Sequence, residues 1–437
     1  MKSDAPVADV IIVGGGYSGT MAAAELARRG ISSLLVEGGG RAGRGTAYST
    51  REPAHLLNVP AAKMSAWADA PDHFVEQGHQ PGEFVQRLKF GAYLRSILDE
   101  ALASGRAELA ETCAIGAERN GEGWRVTLDD GQAVEAKALI LAHGNQPPEP
   151  MAVAAGVSDE RFIHNPWREE AAAAVARLAN GGGDALILGT GLTMVDMVLS
   201  LDEAGHRGRI VALSRRGQIP RSHGAYDPAP VDLDEVATGN VLALWRWLRR
   251  RAGAVGWRAA VDALRPHSHA IWRSLDDGQQ RRFLRHARPW WDVHRHRIAP
   301  QVSERLRAMI AEGRLEIVAG RITRMSETDD GLIVEYRRRR SPAPSERKFA
   351  AAFNCTGPLG TISRTRDPML RGMLEDQLVR IDELGMGLKV DAGSRAGPRL
   401  WALGPLTKAA FWEIVAVPDI RGQVAGVADA IAKELQP

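Results

Sequence analysis

The chain has 437 residues, 44% hydrophobic and 25% charged, with 46 glycines and a formal net charge of +3. Its length accommodates two or three domains, each with a core of its own, and a mean hydropathy of −0.22 excludes a membrane-spanning or largely disordered chain. Two cysteines, Cys113 and Cys355, exclude a disulfide framework, a paired-thiol redox motif and a cysteine-rich metal site.

No apolar run approaches the ~20 residues that cross a bilayer. The stretch from Met1 to Asp9 is too short and too acidic for a signal peptide, so the expected compartment is the cytoplasm. The charge is unevenly spread. Residues 241–310 hold 15 Arg, no Lys and 5 acids, a local +10, while the rest of the chain carries −7. Six of the 11 tryptophans fall in the same window.

In chain order, Val10 to Val13 is a short apolar run that reads as a buried parallel strand. It enters Gly14-Gly15-Gly16-Tyr17-Ser18-Gly19 and an alanine-rich helix from Thr20 to Arg29, ended by Gly30. A second strand, Ser33 to Val36, stops at Glu37. Loop and helix are expected from 39 to 105, then a small meander near 112–118, 124–128 and 132–136. Another buried strand, Ala138 to Ala142, leads to His143-Gly144.

The pattern then restarts. A strand over 184–188 runs into Gly189-Thr190-Gly191-Leu192-Thr193-Met194-Val195-Asp196 and a helix to Ala204, and the strand 210–213 closes at Ser214-Arg215-Arg216. Helices are expected at 240–251, 277–287 and 299–312. Strands follow at 315–324, 331–337, 347–354 and 400–403, and an amphipathic helix at 419–435. The expected division is 1–165 for a first dinucleotide-binding part and 166–349 for a second, carrying a helical Trp/Arg-rich insertion at 222–310. Residues 350–437 complete the first.

A glycine turn after a strand and before a helix is a phosphate cradle. Gly14 permits the turn, Gly16 admits a pyrophosphate, and Gly19 lets helix and strand approach. The helix N-terminus offers free N–H groups and about half a positive charge. Glu37, 18 residues beyond Gly19, suits a free ribose hydroxyl. The second loop has Met194 at the third glycine position and Arg215 and Arg216 where the first has Glu37. Arginine grips a 2′-phosphate, which favours NADPH over NADH, NADH remaining possible. Its expected contacts are Gly189, Gly191, Leu192, Thr193, Arg215 and Arg216.

Gly43-Arg44-Gly45-Thr46-Ala47-Tyr48, His55 to Ala61 with Met64-Ser65, the second glycine loop, Trp290 to Arg295, and Glu413 with Pro418 to Arg421 extend this pattern. Together they resemble the two-dinucleotide-binding flavoproteins of the FAD-dependent urate hydroxylase and aspartate N-monooxygenase type. The resemblance implies an α/β fold of two Rossmann-like, three-layer domains, the second inserted in the first, plus the helical insertion. It places FAD on Gly14, Gly16, Tyr17, Ser18, Gly19, Glu37, Arg44, Gly45, Gly144 and Gly404, with His55, Asn58 and Met64 near the flavin ring. It also implies that Val417, Pro418 and Asp419 present backbone N–H groups to the flavin, where a helix N-terminus would stabilise the reduced anion.

Two features depart from related patterns: Pro405 follows Gly404 where many relatives carry Asp, and Ser158 and Glu160 replace the aromatic and glycine that precede a histidine such as His164. The implied reaction is NADPH reduction of FAD, addition of O2 at C4a, and hydroxylation of a small polar, anionic nitrogen compound such as urate or an amino acid. Electron transfer from NADPH through FAD to an acceptor, without oxygen insertion, is the alternative, and a non-catalytic flavin-binding sensor is a third reading.

Trp290, Trp291, Arg295 and Trp412 are the candidate substrate residues. The arginines and tryptophans of the insertion can equally form one amphipathic surface helix, solvated on one side and packed on the other. His294 and His296 are two apart with no acidic cluster, so no metal is expected. The basic window carries no nucleic-acid motif. The partners implied are a small molecule and O2, with neither nucleic acid nor stable membrane insertion.

Overall fold

The computed structural model describes residues 8–341 and 343–435; the stretch read for a targeting signal lies largely outside them. Two sheets carry the chain. The first part runs β1 (Ala8–Val13), α1 (Tyr17–Arg28), β2 (Ser33–Val36), α2 (Gly45–Tyr48), α3 (Arg87–Ala103), β3 (Ala107–Ala110), β4 (Ala114–Asn120), β5 (Gly123–Leu128) and β6 (Ala133–Leu141). The second begins with β7 (Phe162–Ile163), α4 (Glu169–Gly181), β8 (Ala185–Leu188), α5 (Leu192–Glu203) and β9 (Ile210–Ser214).

The insertion contributes α6 (Val241–Val255), α7 (Trp257–Ala263), α8 (Ser268–Ser274), α9 (Asp277–Arg282) and α10 (Arg288–Arg295). Then come α11 (Pro300–Ala311), β10 (Leu315–Thr328), β11 (Gly331–Arg338), β12 (Pro344–Phe349) and β13 (Ala351–Asn354). The chain closes with α12 (Pro368–Glu375), β14 (Arg395–Gly397), β15 (Leu400–Ala402) and α13 (Val417–Leu435).

One sheet has the order β14-β15-β6-β1-β2-β3, with β5 on β6 and β4 on β5; the other is β12-β11-β10-β9-β8-β13-β7. This is a mixed α/β architecture of two Rossmann-like units. In each, the strand before the glycine turn lies parallel between two others: β1 between β2 and β6, and β8 between β9 and β13. Val10, Ile11 and Ile12 are fully buried, as are Leu186 and Ile187, which is why both strands read as unbroken apolar runs.

Several expected bounds shift. The strands expected at 132–136 and 138–142 are one, β6, whose first half pairs antiparallel with β5 and whose second half pairs parallel with β1. The expected strand at 347–354 divides at Ala350. Its first piece pairs antiparallel with β11 and its second parallel with β8. β7 and β13 both belong to the second sheet, which therefore takes in residues 162–163 and 351–354. The helix expected at 277–287 narrows to α9 and opens into a π-turn at Phe283–Ala287. Pro289, without an N–H, sits in the first turn of α10 directly after it. No described helix is long and apolar enough to cross a membrane.

Candidate functional site

The first glycine turn is built as its sequence requires. Gly14 has φ +105° and faces the end of β6 so closely that a Cβ would lie 2.4 Å from the Ala142 carbonyl oxygen. A Cβ on Gly19 would stand 1.9 Å from the Gly14 oxygen. Gly16 precedes α1 with no side chain capping its first N–H groups, which leaves them as donors for an anion. Glu37 accepts from the Gly15 N–H at 2.7 Å and the Gly39 N–H at 2.9 Å, so its carboxylate is fixed at the turn. Tyr17 and Ser18 are buried in the first turn of α1, and a Cβ on Gly404 would lie 2.8 Å from the Ser18 hydroxyl. Arg44 is exposed beside this turn and Gly144 has open space around it. A cradle that only glycine backbone leaves free, ringed by unpaired N–H donors, fits the ADP part of a dinucleotide.

The second turn repeats the first. Gly189 has φ +107° and approaches the Cys355 carbonyl oxygen at the end of β13, where a Cβ would lie at 2.1 Å. Gly191 precedes α5, again with no side-chain cap and with open space at its Cα. Met194, at the position of Gly19, is fully buried in the core of the second unit. Thr190 shares a hydrogen bond with Ser214 at 2.9 Å, tying the loop to the end of β9. Arg215, exposed, and Arg216, half-buried, have no carboxylate partner among the described residues and are free to take an anion. Cys355 is buried, which pushes its thiol pKa up and leaves it a packing residue. Cys113 is exposed in the turn between β3 and β4.

Between the first unit and the insertion lies a cavity of about 380 Å³. Its walls come from the segment Asn58 to Lys63, from His223 to Tyr226, and from the insertion. Four cations line it, Lys63, Arg265, Arg295 and Arg297, against one carboxylate, Asp262. Arg297 binds Asp262 through two bonds, at 2.5 and 3.1 Å, and the Tyr226 hydroxyl donates to the same carboxylate. Behind the wall, Arg295 lies 2.9 Å from Glu413, which also accepts from the Trp291 indole at 2.7 Å.

Burial works to raise Glu413, but His296, Arg295 and the Trp291 bond hold its pKa below the usual range. Glu413 also adopts φ +75°, a left-handed backbone rare outside glycine and one that over-determined sites retain. Asp419 stands 3.6 Å from both Arg265 and Arg295, beyond hydrogen-bond reach, and Arg265 Nη2 is buried without a bonded partner. Burial and the neighbouring Arg265, Arg295 and Arg297 lower the Lys63 pKa. No carboxylate pairs with Lys63 among the described residues. The cavity therefore holds cationic donors whose capacity is not spent within the protein.

His223 lines the same cavity. Its Nε2 sits 2.8 Å from the Asn58 carbonyl oxygen, which can only accept, so Nε2 carries the proton and Nδ1 is the acceptor. Burial pushes its pKa down to about 4, so the ring is neutral at physiological pH.

Several expected residues lie elsewhere. Both ring nitrogens of His55 are engaged within the protein: Nδ1 pairs with Thr50 at 2.9 Å, and Nε2 reaches the Asp196 carbonyl at 2.9 Å and Ser200 at 3.0 Å on α5. Met64 is buried in the first core, while Asn58 does line the cavity. Of the three N–H groups expected from Val417, Pro418 and Asp419, Pro418 has none and that of Asp419 goes to the Ala416 carbonyl, while the Asp419 carboxylate lies 3.6 Å from Arg265.

Among the substrate candidates only Arg295 reaches the cavity. Trp290 is 44% exposed. Trp291 and Trp412 line a separate apolar slot, where Trp412 stacks on Trp272 with centroids 4.8 Å apart. No local pattern marks Lys63, His223, Asp262, Arg265 or Arg297, because only the fold brings these distant segments to one cavity.

Residues 11–146 match the NAD_binding_9 family, described as FAD-NAD(P)-binding. No curated protein matches the sequence at a significant level. Over its whole length the fold is similar to that of L-lysine 6-monooxygenase from Pseudomonas syringae, at 16% identity with a TM-score of 0.67, covering 98% of this chain and 100% of that one. It is also similar to ornithine hydroxylase from Pseudomonas aeruginosa in its reduced form (16%, TM-score 0.64, 98% and 100%). Thioredoxin reductase from Lactococcus lactis shares it as well (14%, TM-score 0.57, 98% of each chain). At these identities the likeness is one of fold.

Proposed function

We propose that this chain is an FAD-dependent, NAD(P)H-using monooxygenase that hydroxylates a small anionic nitrogen compound, urate or an amino-acid-like molecule. The observation that carries the reading is the cavity wall of Lys63, Arg265, Arg295 and Arg297 beside the first glycine-turn unit. FAD, when bound, supplies a two-electron carrier that a nicotinamide cofactor reduces and that reacts with O2.

The chain's own residues supply binding and orientation. The first turn, with Glu37, would hold the ADP part of FAD. The second, with Arg215 and Arg216, would hold NADPH. Lys63 and Arg265 would take the substrate's negative charge, since neither is spent on a close carboxylate. Neutral His223 offers Nδ1 as an acceptor for a substrate N–H, while Asn58 fixes the ring from the other nitrogen. Arg295 is bound from behind by Glu413 and Arg297 is held within the wall by Asp262, so the wall keeps its shape when a ligand leaves. Oxygen-isotope incorporation into urate, used as the first probe, tests the reading.

A further inference from the structure

The two nucleotide units meet through a buried polar contact that neither glycine turn explains. Asp196 lies in the middle of α5, the helix that starts at the second glycine turn. Its carboxylate takes Arg87 Nη1 at 2.9 Å, and the two side chains are only 8% and 10% exposed. Arg87 opens α3 in the first unit. Its backbone N–H donates to the His55 carbonyl at 2.8 Å and its Nε to the Leu56 carbonyl at 3.1 Å.

His55 closes the ring of contacts by reaching the backbone of Asp196 and the side chain of Ser200. Ala54, Leu56 and Phe84 pack from the same side onto the core of the second unit. From His55 the chain runs directly to Asn58, Pro60 and Lys63 in the cavity wall. One short segment thus joins the helix behind the second phosphate cradle to the cavity beside the first.

A buried ion pair of this kind is weak evidence for stability, because apolar residues of similar size often do as well. What it supplies is one fixed geometry. We propose that Asp196, Arg87 and His55 are positioning residues that lock the pyridine-nucleotide unit against the flavin unit, so that nucleotide binding at residues 189–193 is felt at residues 54–64. With both nucleotides bound, these residues would set how the pyridine-nucleotide unit faces the flavin unit, and so the efficiency of the two-electron hydride transfer that the bound nicotinamide and flavin would supply. No group of the latch takes up either electron or proton. The inference rests on the assignment of the second turn to NAD(P)H made above.

The test uses the full-length, FAD-loaded protein and the double variant Arg87→Met/Asp196→Leu, which removes both charges together and leaves no unpaired ion. Hydrogen exchange with and without NADP+ is read at both segments, and anaerobic stopped-flow gives the limiting rate of flavin reduction by NADPH. In the wild type, NADP+ slows exchange at 189–193 and also at 54–64. In the double variant, protection at 189–193 persists, that at 54–64 is lost, and limiting reduction slows by roughly tenfold or more, as ångström-scale misplacement does. Asp196→Asn, which keeps an oxygen for Arg87, falls between. A folded double variant with wild-type coupling and reduction rate overturns the latch, as does wild-type protection confined to 189–193. Absence of NADP+ protection at 189–193 itself overturns the cofactor assignment instead, so the two failures are distinguishable.

Discussion

The two glycine turns solve one problem in one way and then diverge. Gly14 meets the Ala142 oxygen and Gly189 the Cys355 oxygen, each with φ near +105° and each at the end of a neighbouring parallel strand. Around this shared frame the chemistry is opposite. The first turn ends on Glu37, locked by two backbone N–H groups, and the second on Arg215 and Arg216, with no carboxylate partner among the described residues. On the proposed reading, backbone geometry would make each turn a phosphate cradle, and the residues one strand further on would choose which nucleotide enters. The contrast predicts separable losses.

The largest effect falls on the glycines. Gly14→Ala places a methyl inside the Ala142 carbonyl, and Gly189→Ala does the same at Cys355. Gly14→Ala is expected to purify without FAD, whereas Gly189→Ala retains FAD and is no longer reduced by NADPH; absorbance spectra before and after NADPH separate the two. Loss of FAD from both variants would collapse the comparison. A smaller effect belongs to the arginines. Arg215→Ala with Arg216→Ala should raise the KM for NADPH by roughly tenfold, about 1.4 kcal/mol, and leave that for NADH unchanged. Equal effects on both nucleotides would mean that these arginines do not read the 2′-phosphate.

The smallest is a pH effect at the cavity. His223 is held neutral by burial, its pKa about 4 in the folded protein against an ordinary value near 6.5. The unfolded chain therefore binds the proton first. Stability on this account is complete above about pH 6.5 and declines as pH falls toward 4. His223→Gln, which keeps a donor for the Asn58 carbonyl, should flatten that part of the Tm–pH curve. An unchanged acid slope would show that His223 does not carry it.

What could be read from the sequence follows from range. The glycine turns and the strands around them are local patterns, and they appear at the expected residues. The cavity is not local. Lys63, His223, Arg265 and Glu413 lie far apart in the chain, and no spacing announces that Arg265 and Arg295 would share Asp419. The Trp/Arg window illustrates the same limit. Its composition was visible, but the fold divides it: Trp272, Trp291 and Phe283 line an apolar slot, Arg265, Arg295 and Arg297 turn to the cavity, and Arg246, Arg249 and Arg250 face solvent. The partners of His55 are likewise out of reach of a motif, which gives a neighbourhood, whereas its two ring nitrogens pair with Thr50 and with a helix of the other unit. Strand β6 was divided in two because its partner changes from antiparallel β5 to parallel β1 partway along, while its own backbone stays continuous.

The central claim is that flavin-driven oxygen chemistry serves an anion held in the cationic cavity. It is tested most directly by supplying NADPH, heavy-isotope O2 and urate, then related anionic nitrogen compounds, and weighing the product by mass spectrometry. The account predicts one labelled oxygen atom per product molecule with wild-type protein. It also predicts that Lys63→Met diverts the same NADPH oxidation to hydrogen peroxide. Peroxide as the sole oxygen product with every such compound, in wild type as in the variant, would contradict it.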